Sequence, residues 1–259
     1  MQWIYKPIPK IKALKEYATS LYISLSLSQF LIQRNIEREN ASLFLNPSLK
    51  ELYDPFLMKD MQKAVNRLIE AIENNQKILV YGDYDVDGTS SVSLFYGFLS
   101  QCYSQIEYYI PDRYKEGYGV SQQGIDYAIE HDFSLIVSID CGIKANDKIA
   151  YAKENNIDFI VCDHHEPSEN LPNAIAILDP KRIDCTYPFK ELCGCGVAFK
   201  FLQAYCLQTH QSFTNLFQHL DLVAVATIAD IVPIIDENRI LTYHGLQKIN
   251  QNPSFGIKA

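Results

Sequence analysis

The sequence predicts an α/β fold in which a mostly parallel sheet is flanked by helices. Two observations predict it. Short apolar runs rich in β-branched residues recur from Lys77 onward, as is typical of strands buried on both faces of a sheet. Segments with helical periodicity separate these runs, and this alternation is the pattern of a layered α/β domain. We expect a small helical N-terminal part before the sheet and a helical C-terminal segment after it.

The N-terminal region, residues 1–75, has no reliable strand pattern. Helix-like stretches cover residues 27–39 and 58–74, and the helix breakers Pro47 and Pro55 lie between or near them. This region is therefore predicted to be helical and to pack as a small part of its own.

The α/β domain is predicted to span residues 76–259. Its strands are the runs KILVYGD, SLIVSID, DFIVCD and AIAILDP. The helices between the strands are predicted at 90–102, 121–131 and 144–155. The helical C-terminal segment is predicted at 196–210, 215–229 and 241–250.

The composition excludes several classes of protein. Apolar residues make up 47% of the 259 residues and charged residues 21%, which is typical of a globular protein. The start of the chain lacks the features of a secretory signal. No window approaches the ~20 apolar residues of a membrane span, so we expect no membrane partner. Seven scattered cysteines fit a reduced cytoplasm better than a disulfide scaffold.

The acidic residues have a regular placement. An aspartate follows each of the four apolar runs: Asp83, Asp140, Asp163 and Asp179. Ligands of open α/β sheets bind outside the carboxyl ends of the strands, so these carboxylates should converge on one edge. Two bare carboxylates ~4 Å apart repel by roughly 4 kcal/mol at an effective dielectric constant of 20. The placement predicts bound cations, and with them the net charge of −8 is compatible with a nucleic-acid substrate.

The first motif, GDYDVDGTSS at residues 82–91, directly follows the first predicted strand. It contains three alternating aspartates: Asp83, Asp85 and Asp87. Gly88 permits a turn into a helix that is predicted to begin at Thr89 or Ser90. An EF-hand loop is disfavoured, because its twelfth position requires a glutamate and is Leu94 here. The alternative is a solvated acidic turn with helix capping by Thr89 or Ser90.

The motif CDHHE places His164 and His165 directly after a predicted buried strand. Imidazole suits transition metals and aspartate oxygens suit manganese or magnesium, so a mixed site favours manganese. The alternative is a surface turn that happens to contain two histidines.

Two further aspartates gain weight only from these neighbours. Asp140, in SIDCG, would by itself more often be a helix cap than a metal ligand. Asp230 interrupts the apolar stretch DLVAVATIADIVPI before Pro233. A carboxylate in such surroundings is costly unless it is paired or metal-bound.

Together these motifs resemble the DHH phosphoesterase superfamily. Their order is D-Y-D-x-D-G, S-I-D-C-G, D-H-H and A-D-I-V-P, and the D-H-H triplet gives the family its name. The similarity runs from about Lys77 to the C-terminus. The segments IPDRYKEGYGVS (110–121) and LCGCGVAFK (192–200) resemble the single-strand DNA exonucleases of the superfamily more than its pyrophosphatases.

The resemblance implies a set of site residues. The ligands of a Mn²⁺ or Mg²⁺ pair would be Asp85, Asp87, Asp140, His164 and Asp230, with Asp83 as a further ligand. The catalytic residues would be His165, Asp140 and Asp163, with His165 contacting the scissile phosphate and acting as general acid. The substrate-binding residues would be Arg113, Gly194 and Gly196. Tyr81 stands where many relatives have a histidine.

Two neighbouring features have alternative interpretations. Tyr114 and Tyr118 could stack on bases, whereas their glycine-rich turn by itself is typical of a solvated loop. Cys193 and Cys195 lack the spacing of a zinc site, and a backbone turn built on the adjacent glycines is favoured.

The resemblance implies phosphodiester hydrolysis, most simply 5′ to 3′ degradation of single-stranded DNA in repair or recombination. The implied partners are single-stranded DNA and a single-strand binding protein. The alternatives are a short-oligonucleotide or cyclic-dinucleotide hydrolase and a non-catalytic module that has kept the fold. Members of the family normally continue into a substrate-binding domain and a small β-barrel module. The sequence shows neither, so we expect a catalytic-core fragment with weak activity.

Overall fold

The computed structural model describes residues 4–259 and divides into two compact units, residues 4–52 and residues 53–259. Residues 1–3, the start of the predicted N-terminal region, lie outside the described residues. The first unit consists of helices α1 (Ile11–Leu21), α2 (Leu25–Gln33) and α3 (Arg38–Leu45) and a 3-10 turn at Leu49–Glu51. Its buried residues include Tyr17, Leu31 and Ala41.

The helix predicted at 27–39 is two helices in the structure. Helix α2 ends because Asn35 takes a left-handed conformation, with φ 57°, and the Ile36 N–H then donates back to the Leu31 carbonyl. This is a common way for a helix to end, and it was not visible in the apolar periodicity.

The second unit contains the predicted sheet. Its strands are β1 (Ile78–Gly82), β2 (Ile106–Tyr109), β3 (Leu135–Ile139), β4 (Asp158–Cys162) and β5 (Ala176–Leu178). Its helices are α4 (Met61–Glu73), α5 (Val86–Leu99), α6 (Gln122–Glu130), α7 (Asn146–Glu154), α8 (Gly194–Gln208), α9 (Thr214–Phe217), α10 (Leu220–Ala229), α11 (Asp236–Gln251) and α12 (Phe255–Lys258).

The five strands form one parallel sheet in the order β2-β1-β3-β4-β5, which confirms the predicted fold class. The register aligns Gly82 with Ile139, Ile139 with Cys162, and Cys162 with Leu178. Because the last residues of four strands are aligned, the residues that follow them lie level along one edge. These are the four aspartates that the sequence places after the apolar runs.

Helices cover both faces of the sheet. On one face, residues such as Leu79, Ile136 and Phe159 form a core with apolar residues of α6 and α7. On the other face, α4, α5 and α8 contact the strands, and α10 packs on α5 and α11. Burial on both faces explains why the strand sequences are continuous apolar runs with no alternation.

Several boundaries differ from the predicted ones. Strand β2 was missed, because only Ile106 of its four residues is buried and the segment lacks a continuous apolar run. Helix α4, predicted within the N-terminal region 1–75, belongs to the second unit, since it packs against α8 and β5. The helix predicted at 215–229 is interrupted between α9 and α10. Within the described part of the chain, no helix is long and apolar enough to cross a membrane.

Candidate functional site

The carboxyl edge of the sheet carries a cluster of acidic and histidine side chains around His164. The Nε2 atom of His164 lies 3.1 Å from Oδ1 of Asp140 and 3.7 Å from Oδ2 of Asp87. The Nδ1 atom of His164 lies 3.8 Å from Oδ2 of Asp230. His164, Asp140 and Asp87 are buried, and Asp230 is partly exposed at the end of α10.

These side chains form two overlapping groups that could each hold a metal ion. One group is Asp87, His164 and Asp230, and the other is Asp140, His164 and His165. Within each group, the potential ligand atoms lie within 4.8 Å of one another. Four of the six predicted metal ligands are therefore brought together by the fold.

The polar atoms in this cluster are poorly satisfied by the protein itself. Oδ1 of Asp140 and both ring nitrogens of His164 are buried and make no hydrogen bond. Buried polar atoms without a partner are rare in proteins, and a carboxylate facing an imidazole lone pair requires a proton or a cation between them. Carboxylate oxygens together with imidazole nitrogen are suitable ligands for Mn²⁺. The residues present thus fit a divalent cation.

The electrostatics of the cluster lead to the same conclusion. Burial, reinforced by the neighbouring carboxylates, raises the pKa of Asp140 to about 11. Burial also raises the pKa of Asp87 to about 6. Burial and the nearby His165 lower the pKa of His164 to about 4. The protein alone therefore disfavours the charged carboxylates, and a bound cation would reverse this preference.

Asp87 is held in place by the start of helix α8. The backbone N–H groups of Gly194 and Cys195 donate to its two carboxylate oxygens at 2.7 and 2.9 Å. A Cβ atom on Gly194 would lie 2.6 Å from Cβ of Asp140, so only glycine allows α8 to approach this closely. Gly194 and Gly196 are both buried. The structure gives Gly194 a role in positioning metal-ligand candidates, and the substrate contacts predicted for both glycines stay a prediction.

Two predicted ligands, Asp83 and Asp85, lie outside the two metal-binding groups. Asp85 is exposed and caps helix α5, accepting the Gly88 N–H at 2.9 Å. Helix α5 therefore begins at Val86, not at Thr89 or Ser90 as predicted, because the aspartate itself is the cap. Asp83 is buried and accepts the Tyr84 N–H at 2.8 Å, while its Oδ2 makes no hydrogen bond. Their role as ligands stays a prediction.

Asp163 fixes the orientation of His165. Its Oδ1 accepts hydrogen bonds from the backbone N–H of His164 and from Nδ1 of His165, at 2.8 and 2.7 Å, and its Oδ2 accepts the Ile143 N–H. Burial would favour the neutral acid, but the hydrogen bond and charge of His165 outweigh it and hold the pKa of Asp163 below its usual value. In return, the hydrogen bond to Asp163 raises the pKa of His165.

Tyr118 completes a chain of three side chains. Its hydroxyl lies 2.9 Å from Nε2 of His165, and its ring meets that of His165 edge to face. Because Nδ1 of His165 is engaged by Asp163, Nε2 is the atom left to face a phosphate or a cation. Tyr118 was predicted as a base-stacking residue, and its contact with His165 had no signal in the sequence.

The glycine-rich loop that carries Tyr118 is braced from below by Tyr81 and Glu116. The buried Tyr81 hydroxyl donates to the Gly119 carbonyl at 3.0 Å and accepts the Ser121 N–H at 2.9 Å. Glu116 accepts hydrogen bonds from the Ser121 hydroxyl, the Tyr109 hydroxyl and the Asp112 N–H. Tyr81 therefore supports a loop here, although its sequence position belongs to a histidine in many relatives.

Two other predicted features lie apart from the metal-binding groups. Arg113 is exposed, with its guanidinium carbon 5.4 Å from the centre of the Tyr84 ring. Its substrate contact stays a prediction. Cys193 and Cys195 are buried, and among the described residues neither belongs to a group that could hold a metal.

The family model for the DHH family, N-terminal domain, matches residues 77–227. This range contains Asp87, Asp140, His164 and His165. The chain belongs to the DHH family.

Curated relatives within the DHH family are similar over most of this chain. The single-stranded-DNA-specific exonuclease RecJ of Bacillus subtilis (strain 168) is 42% identical, over 100% of this chain and 32% of the relative. RecJ of Escherichia coli (strain K12) is 37% identical, over 83% of this chain and 39% of the relative. The chain spans little more than a third of the length of the curated relatives it matches.

Solved structures show the same DHH fold. A crystal structure of exonuclease RecJ bound to manganese is 31% identical and has a TM-score of 0.72, over 82% of this chain and 52% of that one. RecJ of Thermus thermophilus in complex with Mn²⁺ is 26% identical and has a TM-score of 0.80, over 97% of this chain and 35% of that one.

Proposed function

We propose that this chain is the metal-dependent catalytic part of a phosphodiesterase that degrades single-stranded DNA. One observation carries the proposal: Asp87, Asp140, His164 and Asp230 surround unsatisfied, buried ligand atoms, beside a histidine held by Asp163. The similarity to single-stranded-DNA-specific exonucleases supports the choice of substrate. Polarity from 5′ to 3′ and a role in repair or recombination are part of the same proposal.

The cofactor is proposed to be a pair of Mn²⁺ or Mg²⁺ ions. Asp87, His164 and Asp230 would hold one ion, and Asp140 and His164 lie where they can serve the other. Asp83 and Asp85 are further candidate ligands near this edge. A metal pair supplies stabilisation of both the attacking and the leaving oxygens in an in-line displacement.

His165 is proposed to contact the scissile phosphate through Nε2. Asp163 accepts from Nδ1 and thereby fixes both the ring orientation and the tautomer. The raised pKa of His165 favours the imidazolium, whose Nε2–H can donate to a phosphoryl oxygen or to the leaving oxygen. Tyr118 holds the same nitrogen from the solvent side until a substrate takes its place.

The location and partners are proposed on narrower grounds. All seven cysteines are free, and six of them are buried, which supports a reducing compartment such as the cytoplasm. Arg113, exposed beside the site, is the proposed contact for the DNA backbone. A single-strand binding protein is a candidate partner on the resemblance alone.

The proposal is tested by Mn²⁺-dependent release of mononucleotides from a 5′-labelled single-stranded oligonucleotide. Asp140→Asn removes one charge from the cluster and should lower the rate by more than the ~10–100-fold typical of residues that only support metal ligands. Asp132→Asn is the matched control, because Asp132 has almost the same left-handed backbone, φ 59° against 63°, but is exposed and remote from the cluster. Mn²⁺ binding measured by calorimetry should weaken in Asp140→Asn alone.

Three other results would each favour a different function. Cleavage of dinucleotides without cleavage of long strands would favour a small-substrate hydrolase. Mn²⁺ binding with no cleavage of any phosphodiester would favour a non-catalytic module. If Mn²⁺ does not bind the wild-type chain, the metal centre itself is wrong.

A further inference from the structure

A cavity of about 410 Å³ opens beside His165, outside the metal-binding groups. One wall is the loop from Tyr118 to Val120, and the opposite wall runs from Cys141 through the first turn of α7 to Lys148. Asp163 and His165 also line it. The metal chemistry proposed above uses none of the residues on the α7 wall.

The size of the cavity suits one nucleoside. Small-molecule sites in proteins occupy roughly 300–1,000 Å³, and the bases of nucleic acids are flat, with aromatic faces and a polar edge. The braced loop next to the cavity keeps its two walls apart, because Gly119 and Ser121 are both tied to the Tyr81 hydroxyl.

The chemistry of the walls suits a base more than a free phosphate. Val120, Ile143 and Ala145 contribute apolar surface, and Tyr118 contributes an aromatic ring. Aromatic surfaces next to cationic groups are typical of sites that bind single-stranded nucleic acids. The cationic groups here are the exposed Lys144 and the half-buried Lys148, whose ammonium donates to Gln122 Oε1 at 3.1 Å.

We propose that this cavity is a nucleobase subsite, which takes the base of the nucleotide whose phosphate faces Nε2 of His165. This inference rests on the proposed phosphodiesterase function and adds where the substrate base lies. Contact with an aromatic ring and aliphatic walls does not distinguish among bases. The subsite therefore accepts all four, which allows a strand of any sequence to pass through the site.

The first test compares ligands with and without a base. Binding of dAMP, dCMP, dGMP and dTMP to the wild-type chain with Mn²⁺ is measured by calorimetry next to binding of 2-deoxyribose 5-phosphate. The four nucleotides should bind within a few-fold of one another. Deoxyribose 5-phosphate should bind about tenfold more weakly or worse, since stacking of one base contributes ~1–3 kcal/mol and each 1.4 kcal/mol is about tenfold.

The second test fills the cavity. Ala145→Phe places a ring between the walls and should remove the advantage of the nucleotides over deoxyribose 5-phosphate. Ala150→Phe is the matched control, because Ala150 lies on the same helix but is exposed and does not line the cavity. Ala145 also packs partly against the core. If Ala145→Phe fails to fold, Val120→Phe fills the cavity from the opposite wall.

The outcomes separate this inference from the proposed function. Equal affinity for deoxyribose 5-phosphate and the nucleotides would overturn the subsite, as would unchanged nucleotide affinity in a folded cavity-filling variant. Oligonucleotide cleavage by the wild type is measured in parallel. Cleavage without base discrimination rejects the subsite alone, whereas base-dependent binding without any cleavage supports the subsite and rejects the proposed catalytic function.

Discussion

Asp179 shows at the scale of a single residue how the acidic sheet edge costs stability. It follows β5, is wholly buried, and has one carboxylate oxygen without a hydrogen bond. Its other oxygen accepts the Lys181 N–H at 2.8 Å. Burial raises the pKa of Asp179 to about 7. Of the four aspartates at the strand ends, it is one that belongs to neither the metal-binding groups nor the Asp163–His165 pair.

We predict that Asp179→Asn changes the pH dependence of stability. The pKa in the folded state lies above the unfolded value near 4, so between pH ~4 and ~7 the folded state binds more protons than the unfolded state. The contribution of Asp179 to stability therefore falls as pH rises through that window and is constant above it. Asparagine does not titrate, so the variant should gain about 1–3 kcal/mol relative to wild type between pH 5 and 8.

Urea unfolding at pH 5 and pH 8, with EDTA present, measures this difference. Other titrating groups are common to both proteins, so to a first approximation their effects cancel when the variant is compared with wild type. Asp132→Asn, at an exposed position, should show no such change. A difference between Asp179→Asn and wild type that is the same at both pH values would contradict the prediction.

At the scale of an element, the loop between β2 and α6 is the part of the site whose shape is set from a distance. It carries Tyr118 against His165, and both of its glycines have positive φ, so its path depends on backbone conformations that other residues rarely adopt. Glu116 and Tyr81 hold it from below. The loop therefore forms a fixed wall of the site in the described structure.

We predict that Tyr81→Phe lowers the catalytic rate more than it lowers stability. The variant keeps the ring, which stacks on Tyr109, but loses the hydroxyl that holds Gly119 and Ser121. The loop should loosen, and Tyr118 should then leave His165 more often. We expect a roughly tenfold fall in kcat, comparable to the loss of a residue that orients a catalytic group, with a loss of about 1 kcal/mol in stability.

Tyr103→Phe is the matched control for this prediction. Tyr103 is also buried, and its hydroxyl also donates to backbone carbonyls, those of Ala71 and Gln76, but it lies outside the loop and the site. Steady-state kinetics and thermal unfolding of both variants give the comparison. Equal falls in kcat for the two variants would mean that Tyr81 acts through general stability alone.

At the scale of the whole second unit, a buried ion pair joins helices that are distant in sequence. The ammonium of Lys200 on α8 lies 3.0 Å from Glu237 on α11, and neither side chain is exposed. Glu237 also accepts hydrogen bonds from the Tyr187 hydroxyl and the Tyr53 N–H. Burial lowers the pKa of Lys200, although Glu237 opposes the shift. The start of α11 is thereby fixed a few residues after Asp230.

We predict that Lys200→Met destabilises the unit by about 3–5 kcal/mol, because it leaves Glu237 buried without its cation. The double variant Lys200→Met with Glu237→Gln should recover part of this loss, since no uncompensated charge then remains. Lys153→Met, at an exposed position of α7, is the control and should change stability by less than about 0.5 kcal/mol. Chemical unfolding with EDTA measures all three, and a loss below about 1 kcal/mol for Lys200→Met would contradict the prediction.

The sequence by itself determined the fold class, the parallel sheet and the edge on which the chemistry lies. Continuous apolar runs are sufficient to indicate strands buried on both faces, and an aspartate after each run is sufficient to place carboxylates along one sheet edge. The order of the motifs then indicated the family. These are properties of short segments, so they are present in the local sequence.

Only the tertiary structure decided which atoms meet. Asp87 and Gly194 are 107 residues apart in the chain, and their contact depends on how α8 packs against the sheet. The same holds for the hydroxyl of Tyr118 on His165 and for the position of Tyr81 beneath the loop. Pattern and spacing constrain the backbone within one element, whereas side-chain contacts between elements depend on register, packing and left-handed turns that no local pattern encodes.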